Sequence, residues 1–393
     1  MELTSDALVN TLLAVGAASL LTTLWVWPRL ARQRPLPMLG RILLLAITQT
    51  TVLAVLALSV NNSYGFYTSW DDLLHPGGAA LALTTAEHQK GAAPDGDALV
   101  QPAPPSGLET ITDLPKGTPE EVGKVESIQV TGKDSGLSDQ MFIYLPPEYF
   151  NPKYSRVRFP VLLTLAGYPG TAMHLLHELP VPQTAWELQR TGRMAPTVIV
   201  MARPTVAAPR NTECVDVPGG AASETWFSKD LPAALRSTYR VSHSATSWGV
   251  LGYSTGGGCA LRLSMRNPDS YGSAAGMHAE FKVPEGAGTD GNLFNGDKAL
   301  NDQGDLTWRL QNLPPPNVAV LAVSTRAEED YQDTMKFLDV AKQASTAHPE
   351  FRVDSLFLDD GGHNFDSWNR ELPASLEWMS DHLAPPQDRE PRD

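Results

Sequence analysis

The chain has 393 residues, of which 42% are hydrophobic and 19% charged, and its formal net charge is −14. This length leaves room for two or three domains of about 150 residues each, and the apolar fraction excludes a wholly disordered chain. The acidic balance argues against nucleic-acid binding, which uses basic surfaces, and two cysteines are too few for a disulfide scaffold or a four-cysteine zinc site.

Charge is distributed unevenly along the chain. Four arginines and two acidic residues give residues 1–60 a net charge of +2, so the remaining residues carry −16. Two long uncharged stretches lie in this front segment, at about residues 7–28 and 42–60. Since about 20 apolar residues cross a bilayer as a helix, these stretches predict a transmembrane hairpin within residues 1–75.

The loop between the two stretches holds four arginines and no acidic residue: Arg29, Arg32, Arg34 and Arg41. Positively charged loops stay on the cytoplasmic side. This predicts a two-span protein of the plasma membrane, with everything after residue 60 outside the cytoplasm. A cleaved signal peptide is the alternative, but such a peptide begins with a basic segment, whereas this chain begins with Glu2 and Asp6.

The rest of the chain divides by composition. Residues 76–122 are predicted to be a linker rich in Pro, Gly and Ala, and residues 384–393 a disordered polar tail. Residues 123–383 alternate short apolar runs with amphipathic segments. Such runs are typical of strands buried on both faces, and their alternation with helices predicts an α/β domain with a mostly parallel sheet and helices on both sides.

The first two predicted strands are expected to form a hairpin. The predicted strands are Ser127–Val130, Gln140–Leu145, Pro160–Ala166, Thr197–Ala202, Trp248–Gly252, Ser273–Met277, Val318–Ser324 and Val353–Leu358. The predicted helices are Ser228–Tyr239, Gly257–Arg266, Tyr331–Gln343 and Glu371–His382. No GxxxxGK[ST] phosphate loop occurs, and no nucleotide cofactor is expected.

The sequence GYSTG around Ser254 is a GxSxG motif between a predicted strand and a predicted helix. Glycines at both ends let the chain turn sharply, which exposes the serine hydroxyl at the top of the sheet. The start of the helix then offers N–H groups to a developing oxyanion. This context predicts that Ser254 is a nucleophile. The alternative is a glycine-rich helix start that serves close packing.

A serine nucleophile needs a base, and His363 is the candidate. It follows a predicted strand and a Gly-Gly turn, and it lies after the serine, as the order serine, acid, histidine requires. The alternative is a solvated loop histidine. His174 and His177 have i, i+3 spacing but no third ligand, so no metal site is expected. His278, directly after a predicted strand, is expected to pack in the core or to line the mouth of the site.

The acid should follow the strand that ends at Ser324. Three carboxylates lie there, those of Glu328, Glu329 and Asp330, and Glu328 is favoured. Such an acid holds the histidine in its useful tautomer and stabilises its charged form.

An oxyanion hole takes one N–H from the residue after the nucleophile, here Thr255, and one from a loop after an early strand. The Gly167-Tyr168-Pro169 loop makes Tyr168 the expected second donor, unless the loop is an ordinary turn.

The two cysteines lie on either side of the predicted nucleophile. Cys259 is five residues after Ser254, and Cys214 precedes the Ser228–Tyr239 helix. An extracytoplasmic domain can keep a disulfide, so a Cys214–Cys259 bridge that holds this loop beside the site is predicted. Two separate buried thiols are the alternative.

Over residues 123–383 the sequence resembles the esterase D and antigen 85 (mycolyltransferase-like) branch of the α/β-hydrolases. The resemblance rests on GYSTGG, on GGHNFDSWNRELP, on Thr325-x-x-Glu328 and on CVDVPGGAASETWFSKDLPAAL. It implies an α/β-hydrolase fold and a Ser254–Glu328–His363 triad. The hairpin followed by NNSYGFYTSW is similar to membrane-anchored actinobacterial members. Antigen 85 enzymes are secreted and transfer mycolic acyl groups between trehalose glycolipids, whereas this chain keeps its predicted anchor and has Tyr-Ser-Thr at the nucleophile.

These features predict a membrane-anchored, extracytoplasmic serine esterase or acyltransferase without a cofactor. Its substrate would be a lipid or other acyl ester, and the acyl acceptor would be water, a sugar or another hydroxyl compound. Two alternatives belong to other classes: a non-catalytic envelope protein that binds a lipid or a partner on a hydrolase scaffold, and a serine peptidase.

Overall fold

The computed structural model describes residues 5–30, 35–64, 70, 73, 99–104, 108, 114–208, 210–286, 288–328 and 330–388. The chain divides into two compact units, Met1–Glu87 and His88–Asp393. The first unit contains two helices, α1 (Asp6–Val26) and α2 (Pro35–Tyr64). Both are long and apolar enough to cross a bilayer.

Small and hydroxyl-bearing side chains join α1 to α2. The hydroxyl oxygens of Ser19 and Thr48 lie 2.7 Å apart, within hydrogen-bond distance. A Cβ atom on Gly16 would lie only 3.3 Å from Thr51. Small residues let apolar helices approach closely, and hydroxyl groups between such helices form hydrogen bonds. The described part of the first unit is therefore a helical hairpin, as the two uncharged stretches predict.

The second helix begins earlier than the predicted second span. It includes Arg41, whereas the prediction places the start at residue 42. A charged side chain limits an apolar stretch, but it does not end a helix, because the backbone hydrogen bonds do not depend on the polarity of the side chain.

The second unit is built around two sheets. Its strands are β1 (Val100–Pro102), β2 (Lys124–Thr131), β3 (Ser138–Leu145), β4 (Val157–Arg158), β5 (Val161–Leu165), β6 (Val198–Ala202), β7 (Trp248–Tyr253), β8 (Ser273–Met277), β9 (Ala319–Thr325), β10 (Arg352–Leu358) and β11 (Gln387–Asp388). Nine of them form one sheet in the order β1-β2-β3-β6-β5-β7-β8-β9-β10, and β4 pairs with β11 in the other.

The large sheet is antiparallel at its start and parallel beyond. Strands β1, β2, β3 and β6 pair antiparallel, and Ile128 lies opposite Met141 in the predicted opening hairpin. From β6 to β10 every pair is parallel, and Leu163 of β5 lies between Val200 and Val250. The prediction of a mostly parallel sheet is confirmed.

Helices cover both faces of this sheet. They are α3 (Pro119–Val122), α4 (Pro147–Phe150), α5 (His174–His177), α6 (Val181–Arg190), α7 (Ser223–Thr225), α8 (Leu231–Thr238), α9 (Thr255–Arg266), α10 (Lys298–Gly304), α11 (Leu306–Asn312), α12 (Tyr331–Ala347) and α13 (Phe365–His382). Side chains of α8, α9 and α12 form one apolar cluster with the sheet, and those of α6 and α13 form another. Alternate residues of each strand enter opposite clusters, which explains the uninterrupted apolar runs.

Two predicted boundaries need correction. The linker predicted at residues 76–122 is too long, because β1 and α3 lie within it and β1 pairs with β2. The tail predicted to be disordered from residue 384 contains β11, which pairs with β4. In both places backbone hydrogen bonds to a neighbouring strand order a polar segment that composition alone assigns to disorder. Residues 74–98 and 389–393 lie outside the described residues.

One predicted helix begins too late. The last helix starts at Phe365 rather than at Glu371, because the side chain of Asn364 accepts a hydrogen bond from the Ser367 N–H at 3.1 Å and caps the helix. The polar residues of the first turns interrupt the apolar periodicity, so the sequence pattern does not reveal where this helix begins.

A disulfide bridge joins Cys214 to Cys259, with their Cα atoms 5.5 Å apart. It connects the loop before α7 to the interior of α9. Next to it, the buried guanidinium of Arg262 contacts the carboxylate of Glu213 at 2.5 Å and donates to the Glu280 carbonyl at 3.1 Å. A covalent bond and a buried ion pair, one helical turn apart, thus attach this loop to α9.

Replacing both cysteines by serine should lower the free energy of unfolding by about 4 kcal/mol, because the bridge closes a loop of about 46 residues in the unfolded chain. Urea unfolding of the full chain, followed by tryptophan fluorescence, measures this loss. Reductant should destabilise the wild type by a similar amount and leave the double variant unchanged. Equal stability of the wild type and the double variant would contradict the assignment.

Candidate active site

Ser254 lies in the turn between β7 and α9. Its φ is +55° and its ψ is −127°, which is a strained conformation for a residue with a side chain. Its N–H donates to the Met277 carbonyl at 2.9 Å, and its own carbonyl accepts from the Gly258 N–H at 3.1 Å. A serine at positive φ between a strand and a helix has the geometry of a nucleophile elbow.

The two motif glycines are required by close backbone approach. A Cβ on Gly252 would collide with the carbonyl oxygen of Gly256, and a Cβ on Gly256 would collide with the carbonyl oxygens of Leu165 and Ala166. The first turn of α9 therefore packs directly against the ends of β5 and β7. This contact places Ser254 at the carboxyl end of the parallel strands, where the loops that follow β8, β9 and β10 also lie.

His363 lies in the loop between β10 and α13. Its Nε2 is 2.8 Å from the Ser254 hydroxyl oxygen, and its Nδ1 is 2.7 Å from a carboxylate oxygen of Glu328. A carboxylate oxygen accepts, so Nδ1 donates and Nε2 can accept the serine proton. The three side chains thus form a continuous hydrogen-bonded chain.

The three candidate acids differ in their contacts. The Glu328 side chain, in the turn after β9, is 6% exposed and contacts His363. Asp330 is exposed, although its charge still acts on His363. Glu329 lies outside the described residues. The structure therefore brings Glu328, the favoured candidate, into contact with the histidine.

The environment of His363 lowers its pKa below the ordinary histidine value. Burial is the main cause, because it disfavours the charged imidazolium, and the carboxylates of Glu280 and Asp330 act in the opposite direction. A lowered pKa keeps the imidazole neutral near pH 7, which is the form that can accept a proton.

Thr255 and Tyr168 occupy the positions expected of oxyanion-hole donors. Thr255 is the first residue of α9, where backbone N–H groups lack helical partners. Tyr168 follows β5, and its neighbour Gly167 packs so closely that a Cβ there would lie 3.1 Å from the Ser254 Cβ. Both backbone segments thus adjoin the serine.

Two further residues, His278 and Glu371, adjoin this hydrogen-bonded chain, and the sequence does not predict their role there. The His278 side chain is completely buried between Glu328 and Glu371, and it contacts both. Glu371 is completely buried on α13. The sequence does contain a signal for Glu371. This acidic residue lies on the apolar side of the helix, beside Leu372 and one turn after Trp368, where a charged side chain is unusual.

The histidines considered for metal binding have other contacts. The Nδ1 of His174 accepts a hydrogen bond from the Thr171 N–H at 3.0 Å, which makes it part of a local turn. Among the described residues, nitrogen and oxygen atoms of His278, Glu328 and His363 lie within 4.8 Å of one another. These atoms face one another across hydrogen-bond contacts in a chain that ends at Ser254, so the arrangement suits proton transfer.

A pocket of about 370 Å³ lies beside the hydrogen-bonded side chains of the site. It is lined in part by Glu280 and Asp330, the two carboxylates whose charges act on His363. Its other lining residues combine aromatic and apolar side chains with charged, hydroxyl and amide groups: Ala279, Phe281, Lys282, Pro284, Asp305, Thr307, Trp308, Gln311, Asp333 and Lys336. Such a lining suits a ligand with an apolar face and several hydroxyl groups.

Comparison with known proteins identifies the family. The Esterase family profile matches residues 136–379, more than half of the chain. An uncharacterized protein of Corynebacterium glutamicum is 25% identical over 285 residues, which cover 70% of this chain and 65% of that relative. The chain thus spans slightly less than two thirds of the relative's length.

Several solved structures have the same fold. A ferulic acid esterase superposes with a TM-score of 0.55 at 19% identity, covering 66% of this chain and 98% of its own. An S-formylglutathione hydrolase of Agrobacterium tumefaciens superposes with a TM-score of 0.54 at 14% identity, covering 67% and 97%. The fluorophosphonate-binding serine hydrolase F of Staphylococcus aureus gives 0.52 at 14%, covering 66% and 98%.

The mostly parallel sheet, the helices on both faces and these structural neighbours define an α/β-hydrolase fold. The predicted fold class is confirmed. The chain belongs to the Esterase family.

Proposed function

We propose that this chain is a membrane-anchored serine esterase or acyltransferase that acts through an acyl-enzyme on Ser254. The observation that carries the proposal is the hydrogen-bonded chain from Ser254 through His363 to Glu328, with distances of 2.8 and 2.7 Å. Membership of the Esterase family supports ester chemistry over peptide chemistry.

In the first half-reaction the Ser254 oxygen attacks the ester carbonyl carbon while its proton moves to Nε2 of His363. Glu328 stabilises the resulting imidazolium, and the N–H groups of Thr255 and Tyr168 donate to the oxyanion. Each such donor lowers a barrier by about 3 kcal/mol. The tetrahedral intermediate then expels the alkoxide, which takes the proton from His363 and leaves an ester on Ser254.

In the second half-reaction an acceptor hydroxyl gives its proton to His363 and its oxygen attacks the carbonyl carbon of the acyl-enzyme. The bond from that carbon to the Ser254 oxygen then breaks, and Ser254 takes the proton back from His363. Water as acceptor yields a free acid, and another alcohol yields a new ester. The pocket lined by Glu280, Asp330 and Trp308 favours an acceptor with several hydroxyl groups. Its carboxylates can accept hydrogen bonds from hydroxyl groups, and Trp308 offers an apolar face. Transfer to a sugar or similar polyol is therefore included in the proposal.

The membrane part of the proposal rests on the first unit. The segments Ala7–Val26 and Pro35–Asn61 have sufficient length and apolar character to span a bilayer. The arginines around the loop between them favour a cytoplasmic loop, so the proposed topology has the esterase unit outside the cytoplasm. The Cys214–Cys259 bridge in that unit agrees with an oxidising compartment.

Ser254→Ala should abolish labelling by a fluorophosphonate probe and lower kcat on a p-nitrophenyl ester by about 10⁴-fold or more. The reason is that only Ser254 can carry the acyl group. Ser237→Ala is the matched control, since Ser237 is exposed on α8 and donates to the Ala234 carbonyl. Persistent labelling of the Ser254 variant would refute the assignment, and an unreactive wild type would favour the lipid- or partner-binding alternative.

The activity should fall at low pH as His363 becomes protonated, because an imidazolium cannot accept the serine proton. Since burial lowers the pKa of His363, the acid limb of kcat/KM should lie below about pH 6.5, the ordinary histidine value. Asp330→Asn removes an opposing negative charge, so it should move the limb to still lower pH. A limb above pH 6.5, or a shift upward in this variant, would contradict the assignment.

Alkaline phosphatase fused after Val60 should be active and green fluorescent protein fused there should be dark, because this end of the second span lies outside the cytoplasm. Fusions after Arg34, in the loop between the spans, are the matched controls and should show the reverse. Membrane fractionation of the full chain checks the anchor. The opposite pattern at both positions would invert the proposed topology.

A further inference from the structure

A fully buried imidazole lies between two carboxylates at the far end of the candidate triad. His278 follows β8 directly, at a φ of +48°. Its Nε2 is 3.1 Å from both carboxylate oxygens of Glu371, and its Nδ1 is in direct contact with Oε2 of Glu328. The side chains of His278 and Glu371 are both 0% exposed.

The contacts place the imidazole between two buried acidic side chains. Nε2 of His278 is within hydrogen-bond distance of both Glu371 oxygens, and its Nδ1 forms an ion-pair contact with Glu328. Without His278, both buried carboxyl groups would lose this partner, and a buried acidic group without a partner is unfavourable.

The contacts also fix the orientation of Glu328. One of its carboxylate oxygens faces Nδ1 of His363 at 2.7 Å, and the other faces Nδ1 of His278. A carboxylate held at both oxygens cannot rotate away from either partner. The Trp368 ring packs edge-on against both imidazoles, with ring centroids 5.2 Å from His363 and 6.1 Å from His278. The orientation of His363 therefore depends on Glu328 and on Trp368, and also on His278, whose ring centroid lies 5.8 Å from that of His363.

A purely structural role does not explain this arrangement well. Apolar side chains of similar volume would stabilise the fold as much as a buried charged group, or more, because they carry no desolvation cost. Here the buried group costs backbone strain as well, since a histidine at positive φ is unfavourable. The His278 ring instead meets the one oxygen of Glu328 that His363 leaves free.

We propose that His278 and Glu371 are positioning residues for the reaction at Ser254. They hold the Glu328 carboxylate aligned, so that it accepts from Nδ1 of His363 and Nε2 is directed at the serine hydroxyl. The row of contacts has five members, Ser254, His363, Glu328, His278 and Glu371. An ion-pair contact joins Glu328 to His278, and the other neighbours lie within hydrogen-bond distance. This inference rests on the proposed function.

The test is a double-mutant cycle in the full chain, with a p-nitrophenyl ester as substrate. His278→Ala and Glu371→Ala should each lower kcat by about 10- to 100-fold, the usual effect of removing partners that orient site residues. KM should change less than about twofold, because neither residue lies where substrate binds. In a Glu328→Gln background the same substitutions should cost nothing further, since they act only through Glu328.

Conservative variants guard against unfolding. Glu371→Gln keeps an oxygen that accepts from His278, so it should recover most of the activity lost in Glu371→Ala. Glu224→Gln is the matched control. Glu224 is another largely buried acid, but it pairs with Arg266 at the other end of α9, about 18 Å from Ser254 by helix length. This variant should show wild-type kcat.

Two results would overturn the proposal: an undiminished kcat in His278→Ala and Glu371→Ala, or an equal further loss in the Glu328→Gln background. The second result would assign both residues a structural role. If either alanine variant fails to fold, His278→Gln and Glu371→Leu complete the cycle by the same criteria. Failure of the proposed function itself is separate, because it would appear as full activity in Ser254→Ala.

Discussion

The close contact between the first turn of α9 and the ends of β5 and β7 is the constraint on which the rest of the site depends. Gly252 and Gly256 permit it, because any side chain there would meet a backbone carbonyl. The contact forces Ser254 to positive φ and sets its hydroxyl beside the loops after β8, β9 and β10. Those loops carry His278, Glu328 and His363. One tight backbone packing therefore gathers side chains from four separate parts of the chain.

Two attachments keep α9 in place once this contact has formed. The Cys214–Cys259 bridge and the buried Glu213–Arg262 pair hold a loop against the helix interior. The strained Ser254 conformation needs such support, because strain persists only where the surroundings determine the geometry. The disulfide thus serves the site through the helix rather than through contact with substrate.

The fold was largely predictable from the sequence, and the site was predictable in part. Apolar runs such as Val161–Leu165 identify strands because burial on both faces leaves an unmistakable pattern, and GxSxG identifies Ser254 because its chemistry needs that local geometry. The short β1 and β11 escaped prediction because backbone pairing with a distant strand orders them. Glu371 escaped it because its partner, His278, lies 93 residues away, and periodicity within one helix cannot reveal such a contact.

The acidic side chains buried behind Ser254 differ in their effect from the acidic side chains on the surface. Many acidic side chains among the described residues, such as Asp330 and Asp359, are exposed, where water and salt screen their charge. Glu328 and Glu371 are different, because their side chains are 6% and 0% exposed, and in the interior a charge acts over its neighbours with little screening. In the proposed mechanism, the positive charge that forms when His363 takes the serine proton lies next to the buried Glu328 carboxylate. The contact with His278 already fixes the position of this carboxylate, so little reorganisation is needed as the proton moves.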